Sequence, residues 1–259
     1  MRLKKNISIR PNDLFFIEQI KNLIKDKNSK KIIKVLDYGC GIGQLVQLGL
    51  NSSLNIYGVD TYENYYEEWQ KKIPKNILSR ISKIHNNKTK FKPNTFDFVV
   101  SNQVFEHIEK PQFSFEEIAR ILKPRGIFLN IFPNKSVFYE GHIGLYFPHW
   151  LKKNSLLQSM YLYICYFLFL GRKRHLKVDG WKHILNDITF YHTIKSIDTM
   201  VFNSFFFKAE DLTKEYVNFR IQKSRFKRQL RKINNYLNFF LVFLTKKRAG
   251  SILKIINNK

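Results

Sequence analysis

Gly39, Gly41 and Gly43 alternate with Cys40 and Ile42 directly after an apolar run at 32–36 and the pair Asp37-Tyr38. A glycine turn leaving a strand can press its backbone against a ligand, because no Cβ intervenes and positive φ costs little. The spacing sorts the ligand. A dinucleotide fingerprint wants its third glycine where Gln44 stands, so the turn points to a smaller nucleoside. Asp60 closes the run Ile56-Tyr57-Gly58-Val59-Asp60 about 20 residues further on, the reach at which a strand-end carboxylate meets a ribose. Being acceptor-only, that carboxylate can take both vicinal hydroxyls; capping the following Thr61-Tyr62-Glu63 is its plainer use. A second cluster lies at 139–151, where Glu140, His142 and His149 fall among glycines and aromatics, the makings of an active-site loop or lid.

The elements that must position these residues alternate. Buried strands are expected at 32–36, 56–60, 96–102 and 127–131, with helices after Gly43 and over 115–122 and a turn at Lys123-Pro124-Arg125-Gly126. Such alternation predicts an open, mostly parallel sheet with helices on both faces, and ligands in these sheets bind at the carboxyl ends of the strands. The glycine turn, Asp60 and Ser101-Asn102-Gln103 all fall there. Further on, 181–200 reads as an amphipathic helix, 201–206 and 239–244 as the last two strands, and 251–259 as a terminal helix or frayed tail. The whole reads as one domain over 1–259: a cofactor-binding core at about 30–135, a lid and substrate region at about 136–195, and the final strands with a basic segment at about 196–259.

Composition bounds the setting. Cys40 and Cys165 are the only cysteines, far apart, so no disulfide framework is expected and a reducing, cytoplasmic compartment fits. The start Met1-Arg2-Leu3-Lys4-Lys5-Asn6 leads into polar residues, so no secretory leader is expected. No His/Cys spacing of the zinc type occurs, and no metal is expected. The formal charge of +25 fits an anionic membrane surface or a nucleic acid, although the chain's general richness in Lys, Asn, Ile and Phe discounts it. Basic residues gather at 223–232 and at Arg172-Lys173-Arg174. The uncharged stretch 156–170 lies between Lys152-Lys153 and that triplet, too short for the roughly 20 residues of a spanning helix. It reads as a helix packed on the domain's own core, or next as one lying at a lipid interface on the inner membrane face.

Taken together, Leu36-Asp37-Tyr38-Gly39-Cys40-Gly41-Ile42-Gly43, Val59-Asp60, Phe96-Asp97-Phe98-Val99, Phe105-Glu106-His107-Ile108 and Leu122-Lys123-Pro124-Arg125-Gly126 resemble the class I S-adenosylmethionine-dependent methyltransferases. The resemblance covers about residues 30–135. It implies a Rossmann-like fold with a mostly parallel seven-stranded sheet, helices on both faces and a helical lid insertion. It also implies S-adenosyl-L-methionine as cofactor. Asp37, Gly39, Gly41 and Gly43 would frame its methionine and ribose, with Cys40 as a small packing residue in the same turn, and Asp60 would hold the ribose. Ser101, Asn102 and Gln103 would sit by the methyl-bearing end. The family often places an acid before the 96–102 strand for the adenine amino group; here Asn86 or Asn87 must serve. The Glu106-His107-Ile108 triplet recurs across the family and reads as structural.

The segment Glu140-Gly141-His142 with Pro148-His149-Trp150 is similar, over a short stretch, to a sub-group associated with cell-surface polysaccharide or lipid biosynthesis. The sulfonium methyl is a strong electrophile, so alignment of the acceptor dominates, contributing about 7–11 kcal/mol in favourable cases. A neutral hydroxyl also needs its proton removed, which suits a histidine near its ordinary pKa. His142 and His149 are the candidate bases, His142 ahead because glycines flank it, with Glu140 as orienter; ordinary loop hydrogen bonding is the bland alternative. The expected activity is O-methylation of a sugar, glycan precursor or lipid-linked small molecule. An RNA methyltransferase, or a non-catalytic cofactor-binding protein at a membrane surface, are the other readings. Against RNA stands the absence of an Asn-Pro-Pro-Tyr-like motif at 101–104.

Overall fold

The computed structural model describes residues 10–26, 32–62, 68, 71–203, 206–223 and 235–257. Strand β1 (Lys34–Tyr38) is buried from Val35 onward and takes an interior place in a seven-stranded sheet. Apolar side chains on both its faces make that the only comfortable place for it. Val35 enters the core with Phe15, Val46 and Ile56 on one face, while Leu36 and Tyr38 join Val59, Phe115 and Phe128 on the other. Parallel to β1 run β2 (Asn55–Asp60), β3 (Ile81–Lys83), β4 (Phe96–Asn102) and β5 (Leu122–Phe132). In the order of elements, the sheet runs β3-β2-β1-β4-β5-β9-β8, where β8 is Phe206–Asp211 and β9 is Ser251–Asn257. β9 alone is antiparallel to both neighbours. Helices α1 (Pro11–Asp26), α2 (Gln44–Asn51), α3 (Gln112–Ile121), α6 (Ile194–Asn203) and α7 (Thr213–Lys223) cover the faces. The expected Rossmann-like, mostly parallel sheet with flanking helices is therefore present.

The insertion after β5 has a core of its own. A short hairpin, β6 (Tyr139–Glu140) with β7 (Leu145–Tyr146), leads to α4 (Leu156–Phe167) and α5 (Lys177–His183). Ile143, Leu162, Cys165, Val178 and Trp181 pack together there, and the Trp181 indole N–H donates to the Arg172 carbonyl at 2.8 Å. Ser155 caps α4 by accepting from the Gln158 N–H. Only the Gln158, Leu162 and Cys165 stripe of α4 is buried.

Five expectations are corrected. Residues 239–244 are not a strand but part of α8 (Asn235–Ala249); an unbroken apolar run fits either period, and this one continues to a basic last turn that suits a helix C-terminus. Residues 251–257 are not a tail: β9 pairs with β5 and β8 along both edges. Residues 201–203 end α6, 204–205 lie outside the described residues, and Phe206 belongs to β8. The stretch 181–200 is not one helix but the end of α5, a wider π-type turn at Ile184–Ile188, an irregular stretch at 189–193 and then α6. Lys123-Pro124-Arg125-Gly126, read as a turn, is a bulge within β5, with pairing passing from Phe96↔Leu122 to Phe98↔Ile127. Most of the basic segment at 223–232 lies outside the described residues.

Candidate cofactor and acceptor site

A cavity of about 840 Å³ opens at the carboxyl ends of β1, β2 and β4, lined among others by Gly39, Gly41, Asp60, Tyr62, Gln103 and His107. The turn that floors it is held by the neighbouring strand: the Gly39 and Cys40 N–H groups both donate to the Val59 carbonyl, at 2.8 and 3.0 Å. Gly39 has φ +84°, and a Cβ there would collide with the Val104 side chain. At Gly41, φ is +51° and a Cβ would meet no protein atom, so its absence leaves room in the cavity and not in the core. Asp60 accepts the Gly41 N–H at 2.8 Å, and Tyr62 O–H donates to the Gly41 carbonyl at 2.7 Å. A nucleoside ribose fits this corner, with a carboxylate free to accept at its remaining lone pairs.

The other residues named from sequence are distributed differently. Asp37 is buried below the turn, where burial first, then the neighbouring Asp13, raises its carboxyl pKa well above the usual range. Cys40 is buried too; burial pushes its thiol up, and its Sγ lies 3.5 Å from the Tyr62 hydroxyl. Gly43 begins α2 at φ +77°. Ser101 is fully buried, and Asn102 is tied to α1, donating to Asp13 Oδ1 and accepting from Asn12 Nδ2 at 2.9 Å each. Gln103, at φ +58°, lines the cavity, as does Asn87; Asn86 is not among its lining residues.

At the far end of the cavity the lid meets the core. The Glu140 carboxylate is buried at the end of β6 and accepts from the Ile143 N–H at 2.7 Å, the Tyr191 O–H at 2.7 Å and His142 Nδ1 at 2.6 Å. Burial alone would raise its pKa, but the His142 contact and these hydrogen bonds outweigh it and hold the carboxyl below its ordinary value. His142 Nε2 lies 3.3 Å from His107 Nε2, and His107 lines the cavity. Burial lowers the His107 pKa. His149 stands elsewhere: its Nε2 contacts the Val137 carbonyl at 2.9 Å, its ring lies 4.4 Å from that of Tyr191, and it lines a second cavity with Lys135 and Lys152.

Tyr62, Val104 and Tyr191 take places that sequence reasoning did not assign, and His107, read as structural, lines the cavity. Tyr62 is legible in hindsight as the second residue after the acid that ends β2. Tyr191 is not, because it sits in the irregular stretch that breaks the expected helix.

Comparison with known proteins agrees with this geometry. Residues 36–130 match a family model described as a methyltransferase domain. An uncharacterized protein of Methanocaldococcus jannaschii is 33% identical over 134 residues, covering 51% of this chain and 54% of that one. A malonyl-[acyl-carrier protein] O-methyltransferase of Halalkalibacterium halodurans is 31% identical over 42% of each chain. A ubiquinone biosynthesis O-methyltransferase of Pelagibacter ubique is 27% identical over 45% of this chain and 51% of its own. The chain thus spans about half the length of these relatives. Over residues 36–130, then, the chain is similar to a methyltransferase domain.

Proposed function

We propose that this protein is an S-adenosylmethionine-dependent methyltransferase acting on a hydroxyl oxygen of a sugar, glycan precursor or lipid-linked small molecule held close to a membrane surface. One observation carries the reading: a single cavity runs from the glycine turn and Asp60 to His107, behind which stand His142 and Glu140. Methyl donor and acceptor-activating groups then share one space. Gly39, Gly41 and Asp60 hold the nucleoside, Asn87 offers an acceptor to adenine, and Gln103 lies by the methyl end. Asp37, Cys40 and Gly43 support the turn from below, and Ser101 and Asn102 support β4. S-adenosylmethionine, when bound, would supply an electrophilic methyl group; the His107–His142 pair would take the acceptor hydroxyl's proton, with Glu140 orienting His142. Two relatives named as O-methyltransferases support oxygen as the acceptor atom.

The lid supports a membrane-proximal acceptor. Leu156, Met160, Tyr163, Ile164 and Phe167 form an exposed apolar face on α4, and Phe167 is 83% exposed. Lys152 and Lys153 precede α4 in sequence and Arg172-Lys173-Arg174 follow it, flanking cations that suit a helix lying in a lipid interface. Among the described residues no helix is long and apolar enough to cross a membrane. The test is incubation with methyl-labelled cofactor and the separated lipid and water-soluble fractions of a cell extract. Label in an alkali-stable lipid or lipid-linked glycan supports the reading; label confined to RNA or protein, or no cofactor binding by folded protein, overturns it.

A further inference from the structure

We propose that Glu106, His107 and His142 form a binding site for one divalent transition metal of the zinc type, placed where the cofactor cavity meets the lid. The argument starts from tautomers. His107 Nδ1 lies 3.2 Å from the Ile188 carbonyl, which only accepts, so Nδ1 carries the hydrogen. His142 Nδ1 lies 2.6 Å from the Glu140 carboxylate, which already accepts from an amide and a tyrosine, so there too Nδ1 carries the hydrogen. In the neutral rings both Nε2 atoms then bear lone pairs, and these atoms face one another at 3.3 Å. Two acceptors at that separation repel unless a cation lies between them. Either one ring is protonated, or a metal ion takes both lone pairs.

Geometry favours the metal. Two zinc–nitrogen bonds of about 2.0–2.1 Å meeting at a tetrahedral angle put their nitrogens about 3.3–3.4 Å apart. The ring centroids are 5.0 Å apart at an interplanar angle of 80°, closer than two rings aimed head-on across 3.3 Å would stand. The nitrogens therefore do not meet as a linear N–H···N bond would have them. A third donor is at hand: one ligand atom from each of Glu106, His107 and His142 lies within 4.8 Å of the others. Glu106 is 1% exposed, and its Oε2 has no hydrogen-bond partner, so a buried carboxylate oxygen is left over. The supports are those of a metal site as well, with a carboxylate behind one imidazole and a backbone carbonyl behind the other. Three protein ligands, one of them open to the cavity, leave a position for a substrate oxygen.

The role of the ion rests on the methyltransferase reading above. With an ion bound, the two imidazoles would hold it in place of taking the proton themselves: an acceptor hydroxyl at the open position would be acidified, as metal-bound water is, and its proton would pass to solvent. The acceptor class that follows carries a second oxygen beside the reacting one, able to chelate. Neither ligand spacing nor composition signalled the site, because its donors are an adjacent pair and one residue about 35 positions later, joined by the lid.

The experiment uses full-length protein stripped with a chelator and titrated with Co²⁺, followed by visible ligand-field absorption and by displacement with Zn²⁺. The expected result is one ion per chain, with binding weakened at least 100-fold by His107→Ala or His142→Ala and about 10-fold by Glu106→Gln, but unchanged by His175→Ala. His142→Gln gives a milder variant should the alanine fail to fold, and S-adenosylhomocysteine binding reports folding in each. Substoichiometric binding, or binding indifferent to His107→Ala, overturns the site and leaves a shared proton as the occupant. Cofactor binding without metal binding would sink this inference alone; metal binding without cofactor binding would sink the functional reading and leave the site standing.

Discussion

The Asp60 carboxylate accepts the Gly41 N–H at 2.8 Å, so the acid at the end of β2 braces the turn that follows β1. It serves the loop before any ligand arrives, and the proposed ribose contact is laid on top of that duty. Asp60→Ala should therefore weaken S-adenosylhomocysteine binding by more than tenfold, about 1.4 kcal/mol or more. Asp60→Asn, which keeps one acceptor for Gly41, should fall between. Calorimetric titration of the three proteins checks the order; equal affinities would remove Asp60 from the cofactor site.

Gly41→Ala separates the fold from the ligand. Its Cβ would meet no protein atom, and the left-handed φ of +51° should cost about 1–2 kcal/mol of stability. If the cofactor occupies that space, affinity should drop at least 100-fold, about 2.8 kcal/mol, which exceeds the cost in stability. A larger loss of stability than of affinity would mean that the turn serves the fold first.

Glu117 carries a pH-dependent part of the stability. It accepts from the Thr89 N–H and hydroxyl at 2.8 and 2.7 Å and from Arg120 at 2.7 Å. Burial would raise its pKa, but Arg120 and Thr89 outweigh it and hold the carboxyl below its ordinary value. A depressed folded pKa means that the stabilisation is complete above the unfolded value near 4.3 and is lost as pH falls through the folded one. Glu117→Gln should cost about 1–2 kcal/mol at pH 7 and progressively less below pH 4, read as the gap between urea midpoints. A gap that does not narrow on acidification would refute the ionic account.

The exposed face of α4 gives a membrane prediction. Leu157→Ser with Phe167→Ser removes side chains that are 63% and 83% exposed, so the fold should tolerate the change. Flotation with vesicles containing anionic lipid should fall at least tenfold, and added salt should weaken wild-type binding. Unchanged flotation would leave that face without a lipid role.

The first half of the chain was legible because each motif ties a turn to a period. Glycines followed β1, an acid ended β2, and the apolar runs were short enough to be strands. The second half failed where apolar runs carry no period. Phe239 to Leu244 are aromatic and aliphatic throughout, and Ser251 to Asn257 are too short to betray the two neighbours that make them a strand. Site residues split in the same way. Gly39, Gly41 and Asp60 declare themselves locally, whereas the meeting of His107 with His142 depends on how the lid folds back, which no local pattern encodes.

The placement of β9 has a consequence for synthesis on the ribosome. β5 gains its second neighbour only when residues 251–257 insert antiparallel beside it, so its edge waits through translation of about 120 residues. At about 5–20 residues per second that exposure lasts about 6–24 s, with unpaired backbone groups open to any passing strand. Chains stalled at successive lengths should stay protease-sensitive along β5 until residue 257 has left the exit tunnel. Residues 251–257 are thus the ones that shut the door on aggregation.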